Sequence, residues 1–295
     1  MPAGILFLAL GFAATVAATW RFAKTGVERA IHAASLLLCP AAAFTVCLGQ
    51  NTFVTCALLL AGFGTVRRRP ILGGALLGIV TYKPQLCLMV PVALIAARQW
   101  KALAAAAGAA LLLAAASVAL FGIEPWRAWI ALMTEPNAVY TQWETIARIN
   151  GQSIYTYTSL LDESAALANF VQAAAAVGAA GCVFWCYRRP MADDLRLAVL
   201  LAATILAAPH VIDYDTLLLG IAATLFFVRG YADGFRFGEI TVAVLVWASP
   251  LINPPTVFRL GFVTPLLIVL FIGCVMARGR RDAVQTAPSG ILMPA

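Results

Sequence analysis

Long apolar runs separated by short polar gaps make up nearly the whole chain. A helix needs about twenty mostly apolar residues to cross a bilayer, so the pattern predicts an all-α, polytopic transmembrane protein with about eleven spans. The predicted transmembrane domain covers residues 1–277, and residues 278–295 are predicted to form a disordered cytoplasmic tail. The predicted spans lie near residues 3–20, 30–48, 52–66, 70–83, 86–98, 102–122, 166–187, 197–209, 213–228, 238–253 and 260–277.

Basic residues occur mainly in alternate gaps between these spans, the pattern expected of cytoplasmic loops. The predicted inner gaps hold sixteen basic and six acidic residues, whereas the outer segments hold four basic and seven acidic residues. The sixteen are Arg21, Lys24, Arg29, Arg67, Arg68, Arg69, Arg98, Lys101, Arg188, Arg189, Arg196, Arg229, Arg236, Arg278, Arg280 and Arg281. This asymmetry predicts an integral membrane protein with loop 123–165 outside the cytoplasm. The expected location is a bacterial inner or plasma membrane.

Composition agrees with this class. Hydrophobic residues make up 62% of the chain and charged residues 11%, whereas about a quarter of a typical soluble domain is charged. The basic residues follow the membrane gaps and form no block with interleaved aromatics, so no nucleic-acid partner is predicted. All seven cysteines lie in apolar runs without a CxxC pair, so no metal site or disulfide framework is predicted.

Lys83 is the first candidate for chemistry on the outer side. It interrupts an apolar run at the predicted outer end of a span and is followed by Pro84 and Gln85. An ammonium at such a helix break can bind a phosphate. The alternative is a lysine that extends toward the lipid head groups.

Two further outer segments carry polar groups. Gln50 and Asn51 offer amide donors and acceptors for sugar hydroxyls or phosphate oxygens, although a tight turn with a helix cap would use the same residues. His210, Asp213 and Asp215 cluster before another predicted span. They could transfer a proton or bind a polyol, or the carboxylates could simply cap the helix.

The outer loop 123–165 is rich in aromatic residues and predicts short amphipathic helices at the membrane interface. Arg148 in this loop could bind a phosphate through its forked guanidinium, or it could lie on a solvated helix. Of the two histidines, His32 falls inside an apolar span and is predicted to be a packed core residue.

Several short pieces, taken in order and spacing, resemble glycosyltransferase family 87, whose members are membrane enzymes of the GT-C type. The resemblance extends over about residues 30–230. The matching pieces are Gly49-Gln50-Asn51, Arg67-Arg68-Arg69, Ala75-Leu76-Leu77-Gly78, Lys83-Pro84-Gln85, Arg98-Gln99-Trp100-Lys101, Pro209-His210 and Tyr214-Asp215.

The resemblance implies inverting transfer of a hexose, often mannose, from a polyprenyl-phosphate sugar to a lipid or glycan acceptor on the outer face, without a cofactor. In such a reaction we expect Lys83 and Arg148 to bind the donor phosphate. We expect Gln50, Asn51, Gln85, His210 and Asp215 to bind substrate. Membrane lipids, the donor and the acceptor are the predicted partners.

The chain departs from the family pattern in one respect. The resemblance places the catalytic base in the first outer loop, but no acidic residue precedes Glu28, which is predicted to be cytoplasmic. We expect the base to lie in a segment upstream of Met1. The pattern also fits an inactive copy, or an enzyme with an internal base, for which Asp213 and Asp215 are the candidates. It fits two further functions as well: a transporter or lipid flippase, and a non-catalytic membrane subunit.

Overall fold

The computed structural model describes residues 2–134, 151–161, 164–252 and 263–286. The described residues form α-helices and short 3-10 turns with no β-strand, and this confirms the all-α prediction. The α-helices are α1 Pro2–Thr19, α2 Gly26–Leu38, α3 Pro40–Cys47, α4 Thr52–Thr65, α5 Pro70–Ile79, α6 Met89–Ala96, α7 Trp100–Phe121, α8 Glu124–Thr134, α9 Ile154–Leu161, α10 Ala165–Arg188, α11 Asp193–Ala207, α12 Leu217–Asp233, α13 Glu239–Trp247, α14 Ser249–Ile252 and α15 Val263–Thr286.

The helices confirm a polytopic membrane protein but not the count of eleven spans. Five helical segments among the described residues are long and apolar enough to cross a bilayer, and a sixth is added if α2 and α3, bent by 52° at Cys39, act as one span. The other predicted spans are shorter helices. For example, α4 has 14 residues and rises about 21 Å, against a hydrocarbon core of about 30 Å.

The buried centre of the bundle consists of α11 and α12. Every residue of α11 from Leu197 to Ala207 is buried, and so is every residue of α12 from Leu217 to Phe226. In contrast, only Ala102 and Ala106 of α7 are buried, so most of its apolar surface is left for lipid. The two central helices therefore fix the positions of the polar segments at their ends.

Close helix packing holds α7 against α5. The contact uses Gly74 and Gly78 of α5, and an added Cβ atom at either would lie 2.2 Å from a backbone oxygen, of Ala102 and Ala106 respectively. Small residues permit such approach between membrane helices, where dispersion contacts rather than water exclusion drive association. This packing places the end of α5, and the break that follows it, beside the bundle.

Ion pairs gather the predicted inner gaps at one end of the bundle. Arg67 and Arg196 both pair with Asp193, and Arg229 pairs with Asp194 at 2.7 Å. Asp213 and Asp233 are at opposite ends of one 21-residue helical segment, which rises about 30 Å. The cluster around Arg229 and the polar segment that begins at Asp213 are therefore separated by about the thickness of a bilayer core.

The carboxy-terminal prediction needs a correction. Residues from 278 were predicted to be disordered, but α15 continues as a helix through Thr286. The reason is tertiary. The buried Arg278 pairs with Glu239 at the start of α13, and Arg236 pairs with Asp282 at 3.3 Å. Residues 287–295 lie outside the described part of the chain.

The predicted outer loop differs from its prediction in one part. Helix α8 is exposed, and its Arg127 pairs with Glu124 at 2.7 Å. However, α9 is buried, with Tyr157 only 1% exposed. The backbone amide of Tyr155 donates to Oε1 of Gln172 in α10 at 3.0 Å, so this part of the loop packs onto the bundle.

Candidate functional site

The break after α5 presents the side chain of Lys83 to the bundle. Helix α5 ends at Ile79, a 3-10 turn covers Val80–Tyr82, and a second turn begins at Pro84. Lys83 between them has φ −121° and ψ 78°, outside the helical region. A residue before proline is disfavoured in the α conformation because the proline ring clashes with it, so the sequence Lys83-Pro84 itself produces the break.

Lys83 lies in a nearly buried polar contact between three elements. Its Nζ donates to Oδ1 of Asp215 at 3.2 Å and to the hydroxyl of Thr52 at 3.3 Å. It also lies 5.0 Å from the centre of the Tyr214 ring, within range of a cation–π contact. The Lys83 side chain is 12% exposed and that of Asp215 is 3% exposed. Lys83 is therefore not the snorkelling lysine of the alternative prediction.

The segment that carries Asp215 is a tight turn before α12. Residues Asp213–Thr216 form a 3-10 helix, in which the amide of Asp215 donates to the carbonyl of Ile212 at 2.9 Å. The hydroxyl of Thr216 donates to the carbonyl of Asp213 at 2.5 Å. These bonds fix two carboxylates within one turn.

The second carboxylate, Asp213, has a separate set of partners. Nε2 of Gln152 donates to Oδ1 of Asp213, and the hydroxyl of Thr264 in α15 donates to Oε1 of Gln152 at 3.1 Å. Backbone pairing joins the same two segments, because the amide of Gln152 donates to the carbonyl of Val211 at 2.9 Å. We call the contacts of Gln152 with Asp213, Thr264 and Val211 the Gln152–Asp213 latch. Burial, with a smaller contribution from Asp213, raises the pKa of the nearby Tyr157, which is therefore neutral.

The Gly49-Gln50-Asn51 turn directly precedes Thr52, the first residue of α4 and a hydrogen-bond partner of Lys83. Gly49 has φ +61°, a left-handed conformation that suits glycine, and the amide of Gln50 donates to the carbonyl of Thr45 at 2.9 Å. The Asn51 side chain does not cap α4, contrary to the alternative interpretation. Its Oδ1 is buried without a hydrogen-bond partner among the described residues.

The remaining predicted residues are more scattered. His210 is exposed, and its ring packs edge-on against that of Tyr155 with the ring centroids 5.7 Å apart. Gln85 is half-buried in the turn after Lys83. Arg148 lies outside the described residues. His32 is buried at 1% exposure, as predicted.

In the structure Lys83 thus pairs with Asp215, whereas Asp213 accepts a hydrogen bond from Gln152 in the latch. Sequence reasoning missed Thr52 as a partner of Lys83 and Thr264 as a partner of Gln152, because ordinary threonines in apolar helices give no separate signal. The described residues contain no group of three or more His, Cys, Asp or Glu that could bind a metal ion. The arrangement can hold one anionic group at the ammonium with a carboxylate beside it.

Comparison with known proteins adds the family. The model of glycosyltransferase family 87 matches residues 1–209 of the 295 in the chain, and this range contains the break at Lys83 and the Gln50-Asn51 turn. No curated protein and no solved structure matches the chain.

Proposed function

Because the chain belongs to glycosyltransferase family 87, a family of membrane glycosyltransferases, we propose that it transfers a hexose, mannose in the first instance, from a polyprenyl-phosphate sugar. The acceptor is a hydroxyl of a lipid or glycan on the extracytoplasmic face of the membrane. The donor brings its sugar already activated by the phosphate ester, so the proposal needs no further cofactor.

The observation that carries the proposal is the buried position of Lys83 beside Asp215 at a helix break. Burying an ion pair costs several kcal/mol of desolvation per ion, so an ammonium placed there in a membrane protein is a functional-site candidate. In the proposed reaction Lys83 binds the donor phosphate and stabilises the negative charge that develops on it as it leaves. Arg148 is the proposed second phosphate ligand.

The proposed chemical step is a single displacement. The acceptor oxygen forms a bond to C1 of the sugar while the bond from C1 to the phosphate oxygen breaks, and the electron pair of that bond remains on the phosphate. The acceptor proton passes to a carboxylate acting as general base. The internal candidates for this carboxylate are Asp215, which pairs with Lys83 at 3.2 Å, and Asp213, which accepts from Gln152.

Polar side chains around the break supply the proposed sugar contacts. The buried, unpartnered Oδ1 of Asn51 is an acceptor suited to a sugar hydroxyl. We assign Gln50, Gln85 and His210 to the same role, with His210 on the exposed side next to Tyr155.

The distribution of basic residues supports a proposal for the side of the membrane that the site faces. The basic gaps cluster at the end of α12 opposite Asp215, and basic loops remain in the cytoplasm. Lys83 and Asp215 would then face the extracytoplasmic side, where a polyprenyl-phosphate sugar delivers its head group. Polar pairs placed at the two ends of α12, rather than midway along it, favour interfacial chemistry over transport through the bundle.

The experiment is a transfer assay in membranes that contain the full chain. Radiolabelled polyprenyl-phosphate mannose and GDP-mannose are supplied in parallel, with membranes lacking the chain as the control. We expect label to enter a lipid or glycan product from the polyprenyl donor alone. Transfer from the nucleotide donor alone, or no transfer from the polyprenyl donor by folded protein, would contradict the proposal.

A further inference from the structure

Exposed arginines lie at the basic end of the bundle beside five others that pair with carboxylates. No carboxylate among the described residues pairs with the exposed Arg188, Arg189, Arg280 and Arg281. The same is true of the exposed Arg68 and Arg69. The paired arginines are Arg67, Arg196, Arg229, Arg236 and Arg278.

Two of these exposed arginines converge on one aromatic ring. The guanidinium carbon of Arg189 lies 5.4 Å from the centre of the Trp185 indole, and that of Arg280 lies 4.6 Å from it. Arg189 follows α10 and Arg280 lies in α15, so tertiary structure brings the two cations to the same indole. The two positive charges repel each other, and an anion close to both would offset that repulsion.

Other contacts hold this arrangement in position. The guanidinium of Arg196 donates to the carbonyl of Arg189 at 2.5 Å, and Gly279 leaves no room for a Cβ atom against the side chain of Met191. These contacts hold the chain on both sides of the indole close to the bundle, whereas Arg189 and Arg280 remain exposed.

The membrane supplies a ligand of matching charge at this level. Along α10 the exposed apolar residues Phe170, Val177 and Phe184 recur every seven residues on one face, and Arg188 follows Phe184 by one helical turn. A lipid chain lying along that face would place its head group at the arginines. Guanidinium groups bind phosphate oxygens in a forked geometry, and basic clusters at the cytoplasmic ends of membrane helices attract anionic lipids.

We propose that Arg189 and Arg280, supported by Trp185, form a binding site for the phosphate of an anionic glycerophospholipid in the cytoplasmic leaflet. Arg188 and Arg281 add to the positive field around it. The site lies at the opposite end of the bundle from Lys83 and is independent of the proposed transfer reaction.

The test titrates the detergent-solubilised full chain with phosphatidylglycerol or phosphatidylcholine and counts bound lipids by native mass spectrometry. We expect the chain to prefer phosphatidylglycerol, and the double variant Arg189→Gln/Arg280→Gln to lose affinity for it by about tenfold. The matched control is Arg68→Gln/Arg69→Gln, which removes the same charge from another exposed gap at this end and should change that affinity by less than about twofold.

Three results would overturn the proposal: equal binding of the two lipids, equal losses in the two double variants, or displacement of phosphatidylglycerol by millimolar inorganic phosphate. The last would indicate a site for free phosphate. Trp185→Ala removes the indole that the two guanidinium groups contact but keeps both charges. We expect it to weaken phosphatidylglycerol binding while circular dichroism shows unchanged helix content. Unchanged binding by this variant would also contradict the site.

Discussion

Lys83 and Asp215 form an ion pair of 3.2 Å although 132 residues separate them in the sequence. The pair joins the break after α5 to the turn before α12, and both side chains are almost excluded from solvent. We therefore expect it to contribute to stability as well as to the proposed reaction, and the two contributions can be separated by mutation.

Replacing Lys83 alone with Met should lower the free energy of unfolding by about 3–5 kcal/mol, because Asp215 would remain buried without its counter-charge. The double variant Lys83→Met/Asp215→Asn removes both charges and should recover most of that loss. Thermal unfolding in detergent measures both changes. A loss in the double variant equal to the sum of the losses in Lys83→Met and Asp215→Asn would show that the two groups do not interact.

Packing between α5 and α7 gives a second prediction. Gly78→Ala places a Cβ atom 2.2 Å from the carbonyl oxygen of Ala106, so we expect a loss of about 1–3 kcal/mol from forced separation of the helices. Gly108→Ala on α7 is the matched control, because nothing lies within 4 Å of its new methyl group. A melting temperature unchanged in Gly78→Ala would mean that the two helices are not in close contact.

The Gln152–Asp213 latch predicts a graded series. Gln152→Leu leaves the buried Asp213 carboxylate without its amide donor, which should cost about 1–3 kcal/mol or more. Thr264→Val removes the hydroxyl that donates to Gln152 but leaves the bond from Gln152 to Asp213 in place, so it should cost less. Limited proteolysis at residues near 151 measures release of the segment that carries Gln152. Equal cleavage of wild type and Gln152→Leu would contradict the latch.

Arg278 and Glu239 provide a similar test at the basic end. Both are buried, so Arg278→Met should be destabilised by about 3–5 kcal/mol through the unpaired Glu239, and Arg278→Met/Glu239→Gln by much less. Arg281→Gln is the control because that residue is exposed. If Arg278→Met unfolds at the same temperature as Arg281→Gln, the pair does not hold the last helix.

Sequence patterns predicted the helical class and the grouping of basic gaps, because apolar runs and charge asymmetry are imposed directly by the bilayer. They also predicted the helix break at Lys83 from the local effect of Pro84. The span count was less predictable. Apolar runs such as that of α4 look alike whether they cross the membrane fully or are buried among other helices.

Pairing between distant residues was the other part that the sequence did not predict. Asp213 and Asp215 are separated by a single residue and look equivalent in the sequence. The turn at Asp213–Thr216 directs them to different partners, Gln152 for Asp213 and Lys83 for Asp215. Likewise, the helical continuation through Thr286 depends on Glu239, which no local feature of the charged tail indicates.

Binding of the donor phosphate by Lys83 is tested by transfer from polyprenyl-phosphate mannose. We would compare wild type, the charge-neutral pair Lys83→Met/Asp215→Asn, the single variants Asp215→Asn and Asp213→Asn, and Lys101→Met as the control lysine at the basic end. Amounts of folded protein are matched by size-exclusion chromatography.

We predict that Lys101→Met retains wild-type turnover and that Lys83→Met/Asp215→Asn loses at least about a hundredfold. Asp215→Asn should lose more activity than Asp213→Asn. Turnover close to wild type in a folded Lys83→Met/Asp215→Asn variant would contradict this role for Lys83, because the proposed reaction would then proceed without its phosphate ligand.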